Sequence, residues 1–568
     1  MEKFYRSYIK HGIHLFLVIA LLLISVASSS YCSTPVYAKH GMAAGSEENA
    51  VQAGVEILKS GGNAFDAAAA IGFALAVTYP AAGNLGGGGF MVAQTKDGRQ
   101  IFLDFRETAP VLASRDMYVD DKGDIIKGSS TKTALAVGVP GTVHGLFQII
   151  NKFGTMNRQD IIASAIRLAD EGFQVSYSLH SSLQYYQKYL SRFASTADQF
   201  YVDGKAPEFG SIFKQSDLAW SLRQISEQGS SAFYRGAIAD KIVQFMSDNG
   251  GIITKEDLKS YTSKFREPVK FDYKNYSIIA PGLPSSGGIV LAQILKLVEP
   301  IFLRVMGRHS AEYVKTIVEA ERLAFADRNY FLGDSDFVKP PVEELISDEY
   351  LDKRRSKMKG YYAKSSVGVA HGKVESNDTT HYCVADKDGN VVAITYTLNG
   401  SYGMGGVVDG AGFLLNNEMD DFSALPGKAN MFGLVQGEAN AIEPGKRMLS
   451  SMSPTIILKD GKFAFTVGSP GGPTIITTNL QVMLNMFESN MNIRDAIDAG
   501  RFHHQWLPDV IAYERFAFSP DTLLHLVGRG YTLHERRRIG FAVGIQRMNN
   551  GILAGYSDRR GDGVAVGY

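Results

Sequence analysis

Near its start the chain carries an unbroken apolar run, "LFLVIALLLISVA" at residues 15–27, preceded by Lys3, Arg6 and Lys10. The run is short for a membrane span and suits the core of a secretory signal. "VYA" at Val36–Ala38 has small residues at the spacing a signal peptidase reads, which predicts cleavage after Ala38 and a leader of residues 1–38. An uncleaved N-terminal anchor is the alternative. The next pattern is helical. "SEENAVQAGVEILKSGGNAFDAAAAIGFALAVTYP" predicts two helices, the first capped by Ser46 and ended by Gly61 and Gly62, the second stopped by Pro80. The second has almost no polar face and is expected to be buried.

After "GNLGGGG", residues 83–89, a hairpin is predicted around Lys96 to Gly98. Helical spacing then dominates residues 138–300, in "TVHGLFQIINKF", "RQDIIASAIRLADEGF" and "IADKIVQFMSDNG". "YSIIAPGLPSSGGIVLAQILKLV" predicts strand, turn and helix, and "SAEYVKTIVEAERLAFADRNYF" a long amphipathic helix. From Leu351 to Asp378 the chain is basic and aperiodic, the pattern of an exposed, mobile connection. Strands follow in "HYCVA", "VVAITYTL", "AGFLLNN" and "SPTIILKDGKFAFTVGSPGG", then helices in "ITTNLQVMLNMF" and "IRDAIDAG". Helices, then strands, then helices point to a layered sandwich with sheets inside.

With 45% hydrophobic and 20% charged residues the chain is globular. Lys+Arg and Asp+Glu both total 58, which gives no charge reason to expect a nucleic acid or a membrane surface as partner. Of 2 cysteines, Cys32 would leave with the leader. Cys383 could then form no internal disulfide and is read as a buried small apolar residue.

The candidate chemistry sits in "NDTTHYCVADKDGNVVAITYTLNG". "DKDGN" is a hairpin turn signal, and pairing symmetric about Asp388 sets position 379 opposite position 397. Both are threonine. The two form either a cross-strand polar pair or a nucleophile with a hydroxyl that orients it. A threonine nucleophile needs a base. His381 shares its strand face. A free α-amine on Thr379, with a pKa of roughly 8, is better matched, and requires the Asp378–Thr379 bond to be cut.

At this point the sequence resembles the γ-glutamyltranspeptidase family, from about Gly41 to Tyr568. The matching stretches are "GGNAFDAA", "GNLGGGGFM", "LDFRETAP", "NDTTHY", "YTLNGSYG", "LLNNEMDDFS", "LSSMSPT", "GSPGG" and "RFHHQWLPD". The resemblance implies an α+β fold, an αββα four-layer sandwich of the N-terminal nucleophile hydrolase type. It also implies self-cleavage into associated subunits, 39–378 and 379–568, with Thr379 as nucleophile and Thr397 bonded to it. Gly471 and Gly472 would present oxyanion-binding N–H groups. Arg106, Ser450 and Ser451 would hold the α-carboxylate of a γ-glutamyl substrate, and Asn399, Glu418 and Asp421 its α-ammonium. Residues 423–440 resemble a lid, with Phe432 where many relatives have tyrosine. The expected activity is transfer of a γ-glutamyl group from glutathione or related compounds to water, an amino acid or a peptide, in an exported, periplasmic or secreted protein. A poly-γ-glutamate depolymerase, another acylase on the same scaffold and a non-maturing binding protein are the alternatives. Neither metal nor cofactor is expected: His503 and His504 are adjacent rather than at ligand spacing, and "GNLGGGG" lacks the Lys-Ser/Thr of a phosphate loop.

Overall fold

A computed structural model describes residues 34–358, 360, 366 and 379–568, and the packed unit runs from Val36 to Tyr568. Fourteen strands form its two large sheets. In chain order they are β1 (Val36–Ala38), β2 (Met42–Gly45), β3 (Gly88–Gln94), β4 (Gln100–Phe105), β5 (Lys264–Arg266), β6 (Val269–Tyr273) and β7 (Tyr276–Ala280). The second half adds β8 (Thr380–Ala385), β9 (Val391–Thr397), β10 (Thr455–Lys459), β11 (Lys462–Gly468), β12 (Val543–Arg547), β13 (Leu553–Ser557) and β14 (Val564–Gly567). One 7-stranded sheet has the order β14-β2-β8-β9-β3-β4-β5, the other β1-β13-β12-β11-β10-β7-β6.

Side-chain alternation along the strands builds the layers. Cys383, Ala385, Val391 and Ala393 of the first sheet meet Ile456, Leu458, Val543 and Ile545 of the second in a dry layer between them. The intervening Tyr382, Val384, Val392 and Ile394 face a helical layer that includes α1 (Glu48–Lys59), α2 (Ala64–Thr78), α3 (Thr142–Phe153) and α4 (Arg158–Asp170). On the far face of the second sheet, Ile278, Ile457, Phe465 and Val467 pack against α5 (Gly287–Val298), α6 (Ala311–Phe331) and α7 (Thr474–Ser489). The order helix, sheet, sheet, helix is an αββα sandwich, as the resemblance implied. All of α2 is buried, as its alanine content predicts, and Asn63 and Asp66 form a capping box at its start.

Four expectations change. Glu47, not Ser46, caps α1, because its longer carboxylate reaches both the Asn49 and Ala50 N–H groups. Ser46 instead accepts a hydrogen bond from Thr380 Oγ1 at 2.9 Å. The basic segment starts as a helix, Asp348–Ser356, since Arg354 is bound to Asp327 and Arg355 donates to the Leu297 and Lys296 carbonyls. Most of the remainder of that segment, with Asp378, lies outside the described residues. "AGFLLNN" forms no strand. It makes only isolated bridges to Gly86 and Val407, and Asn416 Nδ2 satisfies the Gly86 and Gly138 carbonyls, both at 2.8 Å. Finally, Val36–Ala38 is an edge strand paired with Leu553–Gly555. Among the described residues no helix is long and apolar enough to cross a membrane.

The sheets touch closely where Gly468 meets His381. A Cβ at Gly468 would overlap the His381 ring. Gly468→Ala is therefore expected to lower unfolding free energy by about 1–3 kcal/mol, the usual effect of overpacking. Denaturant titration checks this, and an unchanged midpoint would contradict the tight contact.

Candidate active site

The β8–β9 hairpin pairs Thr380 with Tyr396 and Cys383 with Ala393, the register the turn signal predicts. Continued by one residue, it sets Thr379 against Thr397. The Thr379 hydroxyl donates to Thr397 Oγ1 at 3.4 Å, and Thr397 Oγ1 also accepts the Asn399 N–H at 2.8 Å. Alternation places Thr379, His381 and Cys383 on the face between the sheets. His381 does not serve Thr379. Its Nδ1 lies 2.8 Å from Thr395 Oγ1, and burial pulls its pKa down to about 3. Cys383 is buried, and burial pushes its thiol up.

The glycine-rich segment before β3 is the bed under Thr397. Asn84 Nδ2 donates to the Thr397 carbonyl at 3.0 Å, and a Cβ on Gly87 would collide with that oxygen. At the other side, β11 ends at Gly468, the first residue of "GSPGG", and α7 begins at Thr474. Gly471 and Gly472 have φ of +131° and +56°, and a Cβ on either would strike a neighbour, Thr474 Oγ1 for Gly471 and the Phe432 ring for Gly472. Glycine is required twice over, by dihedral and by space.

A small cavity joins these parts. Thr379, Thr397 and Gly472 line it together with Arg106, Asn399, Glu418, Asp421, Ser450 and Ser451. Gly471 stands beside the cavity rather than in its lining. Phe432 and Leu434, from the residues 423–440 segment, close one side. That segment is fastened by the Met431 N–H to Asp420 Oδ2 at 2.9 Å and by Gln505 Nε2 to the Phe432 carbonyl at 3.1 Å. Asn399 is in the left-handed region at φ +76°, with its Nδ2 donating to the Asn417 carbonyl at 3.0 Å.

The two halves of the expected zwitterion site are bonded to one another. Arg106 is fully buried and its guanidinium pairs with both Glu418 and Asp421, while Nε donates to the Met448 carbonyl at 3.3 Å. Burial raises the pKa of Glu418 and Asp421, opposed by Arg106; burial would lower Arg106, yet the surrounding carboxylates hold it above its ordinary value. Buried charges of opposite sign neutralise each other where they can. Ser450 Oγ accepts the Met452 N–H at 3.1 Å. Ser451 Oγ accepts from Arg328, a lining residue that the sequence pattern did not single out. His503 and His504 are tied elsewhere, His503 to Thr477 and Gln505 at 2.8 Å each and His504 to Asp509 at 3.0 Å.

A threonine hydroxyl at the start of a central strand, between the two sheets of an αββα sandwich, defines a protein of the N-terminal nucleophile hydrolase type. Residues 50–568 match the family described as gamma-glutamyltranspeptidase, and the chain belongs to that family. It is 46% identical over 539 residues to the glutathione hydrolase proenzyme of Escherichia coli (strain K12), covering 94% of this chain and 93% of the relative. To the glutathione hydrolase proenzyme of Pseudomonas sp. (strain A14) it is 47% identical over 550 residues, 94% and 95% of the two chains. The solved cephalosporin acylase from Bacillus halodurans superimposes with a TM-score of 0.83 at 28% identity, over 95% of this chain and 98% of that one.

Glu107 adjoins the Arg106 cluster, its Oε2 3.7 Å from Arg106 Nη1, and neither carboxyl oxygen has a hydrogen-bond partner among the described residues. Burial raises its pKa to about 7, partly offset by Arg106. A raised acid pKa adds stability that is complete below the ordinary value of 4.5 and is lost as pH rises through about 7. Glu107→Gln should therefore match the unsubstituted protein in thermal midpoint near pH 4.5 and exceed it at pH 8. Equal midpoints at both pH values would contradict the buried, protonated carboxyl.

Proposed function

We propose that the chain is an exported proenzyme that cuts its own Asp378–Thr379 bond and then transfers γ-glutamyl groups. The carrying observation is the Thr379 hydroxyl directed at Thr397 Oγ1 inside a cavity lined by Arg106, Glu418, Asp421, Ser450 and Ser451. In maturation Thr379 Oγ1 attacks the Asp378 carbonyl. The C–N bond breaks as the ester C–O bond forms, and the proton passes from oxygen to nitrogen. Water then hydrolyses the ester, leaving Asp378 as a carboxylate and Thr379 with a free α-amine. The products are a large subunit ending at Asp378 and a small one of residues 379–568, which remain associated because strands of both share each sheet.

In turnover the α-amine takes the Oγ1 proton as Thr379 attacks the substrate's γ-carbonyl. Gly471 and Gly472 N–H groups stabilise the tetrahedral oxyanion. The new ammonium returns the proton to the leaving amine, cysteinylglycine when the donor is glutathione. Water, an amino acid or a peptide amine then takes the γ-glutamyl group from the threonine ester. Arg106 with Ser450 and Ser451 receives the α-carboxylate, and Asn399, Glu418 and Asp421 the α-ammonium, so that each substrate charge meets groups that complement it. Phe432 shields the ester without offering a hydroxyl. Every step balances with side chains, an α-amine and water. The relatives named glutathione hydrolase proenzyme support this donor and this maturation.

Export rests on the apolar leader. Because Val36–Ala38 is a paired strand, the leader is better placed as ending ahead of Val36 than after Ala38, where cutting would strip an edge strand from the sheet.

The similarity to the cephalosporin acylase raises a second reading, a preference for glutaryl-type acyl groups that lack the α-amine. Purified protein is expected to release aniline from a γ-glutamyl anilide at least about 10-fold faster than from a glutaryl anilide, since the ammonium acceptors are lost on the latter. Thr379→Ala should remain one chain and release none. Faster glutaryl turnover would favour the acylase, and a processed, active Thr379→Ala protein would refute Thr379 as nucleophile.

A further inference from the structure

One cation in the cavity wall has no role in the scheme above. Arg328 projects from α6 and is 1% exposed. Its Nε donates to Ser286 Oγ at 3.0 Å, and Nη1 to Asn329 Oδ1 at 2.8 Å and Gln436 Oε1 at 3.3 Å. Nη2 donates to Ser451 Oγ at 3.2 Å. All these acceptors are uncharged, whereas Arg106 is closed on two carboxylates. Burial pulls the Arg328 pKa down to about 10, with Asp421 opposing and Arg106 adding to the effect. A buried cation held by neutral groups alone is unfavourable, and an anion that fits beside it relieves that.

The geometry also sets a hydroxyl direction. A guanidinium is donor-only, so Ser451 Oγ accepts from Arg328 and its own hydrogen is left for another acceptor. Ser286 Oγ, the acceptor for Arg328 Nε, in turn donates to the Ser450 carbonyl at 2.7 Å. Through Gln436, whose Nε2 donates to the Asp421 carbonyl at 3.0 Å, the same guanidinium is linked to the opposite half of the site.

Resting on the γ-glutamyl reading, we propose that Arg328 is a positioning residue for the substrate's α-carboxylate. It aims the Ser451 hydroxyl at that carboxylate, fixes Ser450 through Ser286, and supplies the positive charge that Glu418 and Asp421 neutralise on Arg106. The effect is on binding the donor rather than on the proton transfers at Thr379.

The test uses the matured enzyme and a γ-glutamyl anilide, with Arg328→Met, Arg328→Lys, Ser451→Ala and the Arg328→Met/Ser451→Ala double variant. Loss of a charge-assisted contact corresponds to about 10- to 100-fold. Arg328→Met is expected to raise KM by that factor with kcat changed less than about 3-fold, and Arg328→Lys to recover part of the loss. Ser451→Ala should cost much less on the Arg328→Met background than alone, because the two act as a unit. Equal losses in kcat with KM unmoved, or fully additive effects, would overturn the assignment. Failure of both Arg328 variants to fold and process would likewise overturn it, making Arg328 a residue of stability. Absence of γ-glutamyl turnover in the unsubstituted enzyme would instead refute the reading on which the proposal rests.

Discussion

The β8–β9 hairpin register governs this structure more than any other single constraint. Because strand side chains alternate with period 2, pairing Thr380 with Tyr396 puts Thr379 and Thr397 opposite one another on the face between the sheets. A slip of one residue would turn both hydroxyls toward the α2 layer and bring Tyr382 and Val384 into the inter-sheet space. The register is pinned from several sides. Asp386 Oδ1 accepts the N–H groups of Asp388, Gly389 and Asn390, which fixes the turn. β3 pairs with the other edge of β9, with Gly88 opposite Thr397. Asn84 then holds the Thr397 carbonyl from beneath.

Electrostatics inside the cavity follows from burial. Burial raises the pKa of Glu418 and Asp421 with Arg106 opposing, while the carboxylates hold Arg106 above its ordinary value. In the proposed scheme the cluster offers a guanidinium to one end of a zwitterion and two carboxyl groups to the other. Arg328 differs, since its partners are neutral amides and hydroxyls. The same cavity therefore holds one guanidinium bonded to carboxylates and one bonded to neutral groups, and in the proposed scheme that asymmetry separates the carboxylate end of a substrate from the ammonium end.

Much of this was legible in the sequence because local chemistry and tertiary structure agree. "DKDGN" gave the hairpin centre, and with it the Thr379–Thr397 pair. α3, α4 and α6 follow their apolar periodicity, α2 its alanine-rich composition, and the family motifs supplied residues that the fold gathers from distant segments. What was missed has physical causes. β2 ("MAAG") and β13 ("LAGYS") are small-residue strands without β-branched runs; a Cβ on Gly555 of β13 would crowd Met42 of β2, so small residues are demanded by close packing. "AGFLLNN" has strand composition but is tied by asparagine side chains instead of a ladder. Arg328 sits on a long amphipathic helix where an arginine ordinarily meets solvent, and only the fold turns it inward. Arg354 and Arg355 looked like a solvated run, yet they grip Asp327 and neighbouring carbonyls.

In the proposed scheme chain scission at Thr379 is the event on which the chemistry turns, since it converts an internal residue into one bearing both hydroxyl and amine. The most direct measurement follows freshly purified precursor over time by intact-mass spectrometry and amino-terminal sequencing, alongside γ-glutamyl anilide turnover. The account predicts that activity rises in proportion to a new terminus reading "TTHYC" and is absent before it. Full turnover by material whose backbone is still continuous from Asp378 to Thr379 would contradict it.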